Sequence, residues 1–428
     1  MEPKKAAENL YRYLTKKLIP FWMTRAESPS GGFSTSYDGD GNPVPGADKT
    51  LLCQGRCIFA LSHLLRWGFF GPEETGAAAA KIEQGIAYLR EYFRDSRNGG
   101  YIWICSSNGD PVDTNKVVYG HSFLIYGLSE YALASGNKDA AREAEELFSL
   151  LEEKAADPEF GGYLEHFDPD WNPRISRSPG EESGSIHKSL DVHMHLMEAF
   201  TELGKLTGKQ EHLKALRNVY DLIFEKMVAP AGPGSEETAG VSMFQRDWTP
   251  IANVELDTVW GSDRFEKGKK SPEITSYGHN VELAWLSLKA AEVLGIPEET
   301  AALRALPLFR HTLKRGIDAE SGGLYVEGER EGGPTDTDKE FWQQAEALAG
   351  FALAYRLTGD PAFYDGFENI RAFVFRHLVH PELGEWFPLT DREGNLKRHY
   401  LGHGWKTCYH TLRGISLAVR HLEESPEG

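Results

Sequence analysis

Three short stretches of the sequence set histidines beside carboxylates or aromatic rings at helical spacing. In residues 188–198, Asp191, His195 and Glu198 fall at i, i+4 and i+7. One helix face would then carry three ionisable groups while Leu190, Met194 and Met197 cover another. A lone buried histidine is more often a hydrogen-bonded core residue. Carboxylates one turn away on both sides strengthen the functional reading, since each can orient the ring or hold its charge. In residues 276–285, His279 and Glu282 lie three apart at an expected helix N-terminus. Glu282 could accept from one ring nitrogen and leave the other for proton transfer, with simple capping as the alternative. In residues 404–413, His410 stands among Trp405 and Tyr409. Such aromatics either pack a core or make stacking floors for sugar rings. Gln54-Gly55-Arg56, Tyr119-Gly120-His121 and the run from Trp342 to Glu346 supply further polar and aromatic groups. Near-neutral histidines of this kind suit reversible proton transfer at carbon without a cofactor.

Other chemistries lack their signatures. The sequence has no Gly-rich phosphate loop, no serine nucleophile elbow and no HExxH helix. Its four cysteines are too few for a disulfide scaffold, and Cys53 and Cys57 have no matching ligand pair nearby, so no metal is expected. A formal charge of −18 argues against nucleic acid and anionic membranes as partners. No run approaches the ~20 apolar residues of a membrane span, and the N-terminal residues lack a signal core, which makes the cytoplasm the expected location.

The elements that must position these groups announce themselves through a repeat. Ser30-Gly31-Gly32-Phe33, Asn98-Gly99-Gly100-Tyr101, Phe160-Gly161-Gly162-Tyr163 and Ser321-Gly322-Gly323-Leu324 each follow an acidic or polar turn. Leu383-Gly384-Glu385-Trp386 is a weaker copy, and Gly240 marks a degenerate sixth. The marks fall about 60 to 80 residues apart, room for two helices and a loop or hairpin. Between them, residues 117–135, 186–206, 280–294 and 340–357 carry apolar side chains at three- and four-residue intervals. About six helical hairpins predict an all-α closed ring, an (α/α)6 barrel, with short β-hairpins in the Gly-rich loops. An open solenoid would have tighter, more uniform periods. The polar stretches 229–237 and 265–272 are short enough to be loops that close over a site, so residues 1–428 read as a single domain.

Taken together and in order, these blocks resemble the N-acylglucosamine 2-epimerase and cellobiose 2-epimerase superfamily. The likeness runs from Leu18-Ile19-Pro20-Phe21-Trp22 and Gly31-Gly32-Phe33 through Asp48-Lys49 and Gln54-Gly55-Arg56. It continues with Tyr277-Gly278-His279 and Glu282, Trp342 to Glu346, and Trp405-Lys406 with Tyr409-His410. The resemblance implies the same (α/α)6 barrel and inversion at C2 of a reducing sugar through an ene-diolate. It implies His279 and His410 as the acid/base pair, Glu282 tuning His279, and His195 assisting ring opening. Arg56 would stabilise the oxyanion on O1, and Tyr119, Asp191, Trp342, Glu346 and Trp405 would hold the sugar. No metal, nucleotide or other cofactor is implied, and the chain would work as a monomer or homodimer. Tyr277-Gly278-His279 and the Trp405–His410 block look closer to the cellobiose and mannose branch, whereas Gln54-Gly55-Arg56 leans towards acylglucosamine epimerases. Asp191 departs from the usual Asn of the cellobiose branch, and Cys408 from its usual Pro.

The favoured expectation is 2-epimerisation of glucose- and mannose-configured sugars, free or at the reducing end of a β-1,4 disaccharide such as cellobiose. Aldose–ketose isomerisation of mannose and N-acylglucosamine 2-epimerisation are rivals of the same chemistry. A glycoside hydrolase with paired carboxylates drawn from Asp191, Glu282 and Glu346 is the rival of another class.

Overall fold

The computed structural model describes residues 1–26, 28, 30–174, 187–251, 254–255 and 269–425. Among these residues the chain alternates inner and outer helices, as the repeat predicts. The inner helices are α3 (Leu51–Arg66), α5 (Val118–Ser135), α7 (Leu190–Thr207), α9 (Tyr277–Val293), α11 (Phe341–Thr358) and α13 (Cys408–Glu423). Each packs on the next, and α13 returns to α3 to close the ring. Around them run α1 (Pro3–Tyr13) and α2 (Ile19–Arg25), α4 (Pro72–Tyr88), α6 (Lys138–Lys154), α8 (Gln210–Leu222), α10 (Glu298–Arg315) and α12 (Pro361–Phe373). None of the described helices is long and apolar enough to cross a membrane.

Sequence explains which helix goes where. α5, α9 and α11 bury nearly their whole circumference, polar residues included, whereas α6 and α8 bury only a stripe. Side chains of Thr50, Ser189, Ser276 and Thr407 cap the N-termini of α3, α7, α9 and α13. The cap also sets the start of α7 at Leu190, because Lys188 and Ser189 belong to a short strand, His187–Ser189, paired with Met243–Gln245.

The glycine marks are where outer helices hand over to inner ones, and five of the six are fastened by an acceptor at the fourth residue of an inner helix; at the weaker copy, Trp386 N–H donates to Glu385 Oε1. Gln54, His121, His193 and Gln344 accept from the backbone N–H groups of Phe33, Tyr101, Tyr163 and Leu324. Asn280 accepts likewise from Gly240, the degenerate sixth mark. A buried lysine before the helix adds an ion pair: Lys116 to Asp95 (2.7 Å), Lys188 to Asp157 (2.9 Å), Lys339 to Asp318 (3.2 Å) and Lys406 to Glu385 (2.8 Å). The turns need glycine for two reasons. Gly162 has φ +70°, and a Cβ there would lie 2.7 Å from His193 Nε2. Of the stretch 229–237, residues 229 and 230 belong to the strand Val228–Pro230, residues 231–237 join it to the strand Thr238–Gly240, and Glu237 ties this loop to Lys314 and Arg315 of the outer helix α10. Of the other loop expected to close over the site, residues 265–268 lie outside the described residues.

Candidate active site

The repeat builds the site as well as the scaffold. Counting each inner helix from its first residue, the sixth positions are Arg56, Phe123, His195, Glu282, Glu346 and Arg413. Five of the six are ionisable, and the same end of the ring receives them all. Second positions contribute Tyr119, Asp191, Trp342 and Tyr409, and third positions contribute His279 and His410. Trp405 arrives from the loop before α13. Every residue expected from the sequence is therefore brought to one region.

His195 is locked between two carboxylates, with Nε2 3.2 Å from Asp191 Oδ1 and Nδ1 2.9 Å from Glu198 Oε2. Burial disfavours its charged form, but the two carboxylates outweigh that and raise its pKa to about 10. With both nitrogens protonated and bonded, His195 is a fixed cation. His279 directs Nε2 to the same Asp191 oxygen at 3.5 Å, so Asp191 joins the two histidines. Against burial, its bond to His195 and the charges of His279 and Arg56 hold Asp191 well below the usual carboxylate range.

His410 is the opposite case. Burial, with Arg56 and Arg413 nearby, holds its pKa well below that of a free imidazole. Nδ1 donates to Glu346 Oε1 at 2.7 Å, which leaves the lone pair on Nε2. His410 is thus a neutral base already oriented by a carboxylate.

Under these groups lies Arg413, fully buried. It donates to Glu198 and to Tyr409 Oη, to Glu282 Oε1 at 2.6 Å and to Glu346 Oε1 at 2.7 Å. Glu282, also fully buried, is pushed up to about 8 by burial and by Glu346. This corrects one expectation: Glu282 hydrogen-bonds Arg413, and the carboxylate at His279 Nε2 is Asp191. Two others shift in the same way. Glu346, expected to hold sugar, is fully buried and bonded to His410, Arg413 and Trp285, and His195, expected to assist ring opening, has both nitrogens occupied.

Aromatic rings complete the walls. Trp342 packs on His279 (centroids 4.7 Å) and on His410 (5.6 Å). Tyr119 stacks on Trp405 at 5.7 Å. Arg56 lies over Phe123 and Tyr409 at 4.5 and 5.0 Å, and donates to Tyr119 Oη (3.1 Å) and to the Trp405 carbonyl (2.9 Å). Glu282, Glu346 and His410 also bring potential metal-ligand atoms within 4.8 Å of one another. Arg413 bonds both of those carboxylates, so a guanidinium already supplies the positive charge that an ion would bring there.

Sequence reasoning pairs Glu198 with His195 but leaves it out of the candidate site residues, and assigns no role to Arg413. The signal was present, since Glu198 stands three residues beyond His195, and Arg413 three beyond His410 in the same register of the repeat as Arg56.

The N-acylglucosamine 2-epimerase (GlcNAc 2-epimerase) family model matches residues 31–414. A cellobiose 2-epimerase of Bacteroides fragilis is 29% identical over 95% of this chain and 96% of its own. A D-mannose isomerase of Marinomonas mediterranea is 25% identical over 95% of each chain. The solved cellobiose 2-epimerase of Spirochaeta thermophila superposes with a TM-score of 0.83 at 26% identity, covering 98% of this chain and 97% of that one.

Proposed function

The chain belongs to the N-acylglucosamine 2-epimerase family, and we propose that it is a carbohydrate isomerase that interconverts glucose- and mannose-configured reducing sugars at C2. The substrate is a free hexose or the reducing end of a β-1,4 disaccharide such as cellobiose, the sugar named for several of its relatives. The observation that carries this reading is the placement of His279 and His410. They occupy the same position on α9 and α13, the two helices that flank α11, and both rings pack on Trp342 of α11. Two imidazoles packed against one aromatic ring suit two-sided proton transfer at one carbon.

In this mechanism the open-chain aldose lies over Trp342, within reach of both rings. The neutral Nε2 of His410 takes the C2 proton of one epimer, and the C2 electron pair moves into the C1–C2 bond as O1 gains charge. Arg56 donates to that oxygen, and being already oriented by Tyr119 and Trp405 it needs no reorganisation as the charge develops. His279 then protonates C2 from the opposite face; in the reverse direction the two exchange roles. Proton transfer by such a positioned imidazole contributes about 10²- to 10⁴-fold. The fixed charge of His195, next to Tyr119 and Asp191, further favours an anionic intermediate. One turnover leaves His410 protonated and His279 neutral, and proton exchange with solvent returns both to their starting forms, so the proposed steps use side chains and water alone.

Return of the proton to C1 instead of C2 gives a ketose, and the mannose isomerase relative favours this as the second reading. Hydrolysis is less well supported, because Asp191, Glu282 and Glu346 are each bonded to a protein cation or imidazole. The test is product analysis by NMR in deuterated buffer with glucose, mannose, cellobiose, mannobiose and N-acetylglucosamine, for wild type and His410→Ala. Deuterium at C2 of an epimer, lost in the variant, is expected. Intact sugars without exchange would refute the proposal, and cleaved disaccharide would replace it with hydrolysis.

A further inference from the structure

We propose that Arg413 is a positioning residue for this reaction, a single buried guanidinium that holds the carboxylate partners of both His195 and His410. The inference rests on the epimerase reading above and goes beyond it by linking the two histidines through one group.

The geometry carries it. One terminal nitrogen of Arg413 bonds Glu198, whose other oxygen holds His195 Nδ1. Its other terminal nitrogen bonds Glu346 Oε1, the same oxygen that accepts from His410 Nδ1, at 2.7 Å in each case. Glu282 Oε1 takes a further bond from that nitrogen at 2.6 Å, while Glu282 Oε2 is buried without a hydrogen-bond partner. The guanidinium lies over the ring of Trp285 at 4.7 Å and that of Tyr409 at 4.0 Å, which fixes its plane. Trp285 also donates to Glu346 Oε2 at 3.0 Å. Only a flat fork of donors can serve three carboxylates from α7, α9 and α11 at once; the ammonium of a lysine is a point charge on a flexible stem.

A displacement of Arg413 would therefore move both histidines together. Glu346 would no longer be held under His410, and Glu198 would be left buried with one bond fewer beneath His195. The titratable and charged groups that face His410 are Arg56 on α3, His195 and Glu198 on α7, Glu282 on α9, Glu346 on α11 and Arg413 on its own helix. Arg413 and Arg56 both disfavour its protonation, so loss of Arg413 makes His410 easier to protonate.

The experiment pairs Arg413→Gln with Arg413→Lys in two readouts. In kinetics, Arg413→Gln is expected to lower kcat about 100-fold, the scale of a misplaced catalytic group, with KM changed less than about threefold. Its acid limb should move up by about one pH unit, and Arg413→Lys should fall between Arg413→Gln and wild type. In ¹⁵N NMR titrations of the histidine rings, wild type should show His195 staying charged and His410 staying neutral around neutrality. The two titrations should converge in Arg413→Gln. If Arg413→Gln does not fold, the same titration of Arg413→Lys decides. An unchanged pH profile and unchanged ring titrations, with activity lost only in step with the folded fraction, would overturn the proposal. If wild type exchanges no C2 proton with any sugar, the epimerase reading fails by itself, and the ring titrations still judge Arg413.

Discussion

His193 and His195 leave the same helix two residues apart, and their surroundings drive them to opposite charge states. His193 faces the rim. Burial pushes its pKa down to about 3, Nε2 accepts from the Tyr163 N–H, and Nδ1 lies 2.8 Å from the Ser189 carbonyl. His195 faces the axis of the ring, where Asp191 and Glu198 overcome the same burial and hold a proton to about pH 10. The rim is a repeated structural device, in which Gln54, His121, His193 and Gln344 are interchangeable acceptors under four turns of one design. The centre is unrepeated, since the same helical position holds Arg, Phe, His, Glu, Glu and Arg in succession. Residue type alone does not separate a staple from a reactive group; the side of the helix does.

That contrast can be pressed from the centre outwards. Glu346→Gln removes the charge that orients His410 and leaves Arg413 short of a counter-ion. Its kcat should fall about 100-fold with little change in the far-UV spectrum, and steady-state turnover with circular dichroism checks this. A rate within a few-fold of wild type would show that His410 does not depend on its carboxylate. At the rim the effect moves from rate to stability. His193→Ala leaves the buried Tyr163 N–H unpaired and should cost about 1–3 kcal/mol, read from denaturant unfolding. His193→Gln should recover much of it, as Gln54 and Gln344 do this work elsewhere, and activity per folded molecule should be unchanged in both. Loss of turnover in a fully folded His193→Gln would erase the distinction between rim and centre.

The contrast also appears as a difference of sign in pH-dependent stability. For His193 the folded pKa lies below the unfolded value of about 6.5, so the unfolded chain binds more protons in acid. Its contribution is present above pH 6.5 and is lost as pH falls towards 3. For His195 the folded pKa is raised, so its contribution is present below pH 6.5 and is lost as pH rises through 10. His193→Gln should flatten the acid side of the stability profile and His195→Gln the alkaline side. Unfolding free energies measured from pH 4 to 10 would show this, and the two variants altering the same limb would contradict it.

Much of this was legible in the residues themselves. The glycine marks and the three- and four-residue apolar spacing led to the closed helical ring, because a turn that needs positive φ must recur wherever the hairpin does. The candidate site residues stand out in the sequence because each histidine has an ionisable or aromatic neighbour within a turn. What failed was partner assignment. Glu282 was matched to His279 by proximity in sequence, yet its carboxylate lies one turn deeper, against Arg413 from another helix. Asp191 reaches His279 across two helices. Arg413 went without a role because contacts across a ring leave no local pattern, and only the repeat register relates it to Arg56.

The central claim is that His279 and His410 serve opposite faces of one carbon, and hydrogen exchange with each epimer separately tests it most directly. Glucose-configured and mannose-configured substrates would be incubated in deuterated buffer with His279→Gln and with His410→Gln, and C2 followed by NMR. Each variant should wash deuterium into one configuration only, the two variants choosing opposite sugars, with epimerisation lost in both. Exchange into both sugars by either variant, or continued epimerisation by one of them, would contradict a two-histidine mechanism.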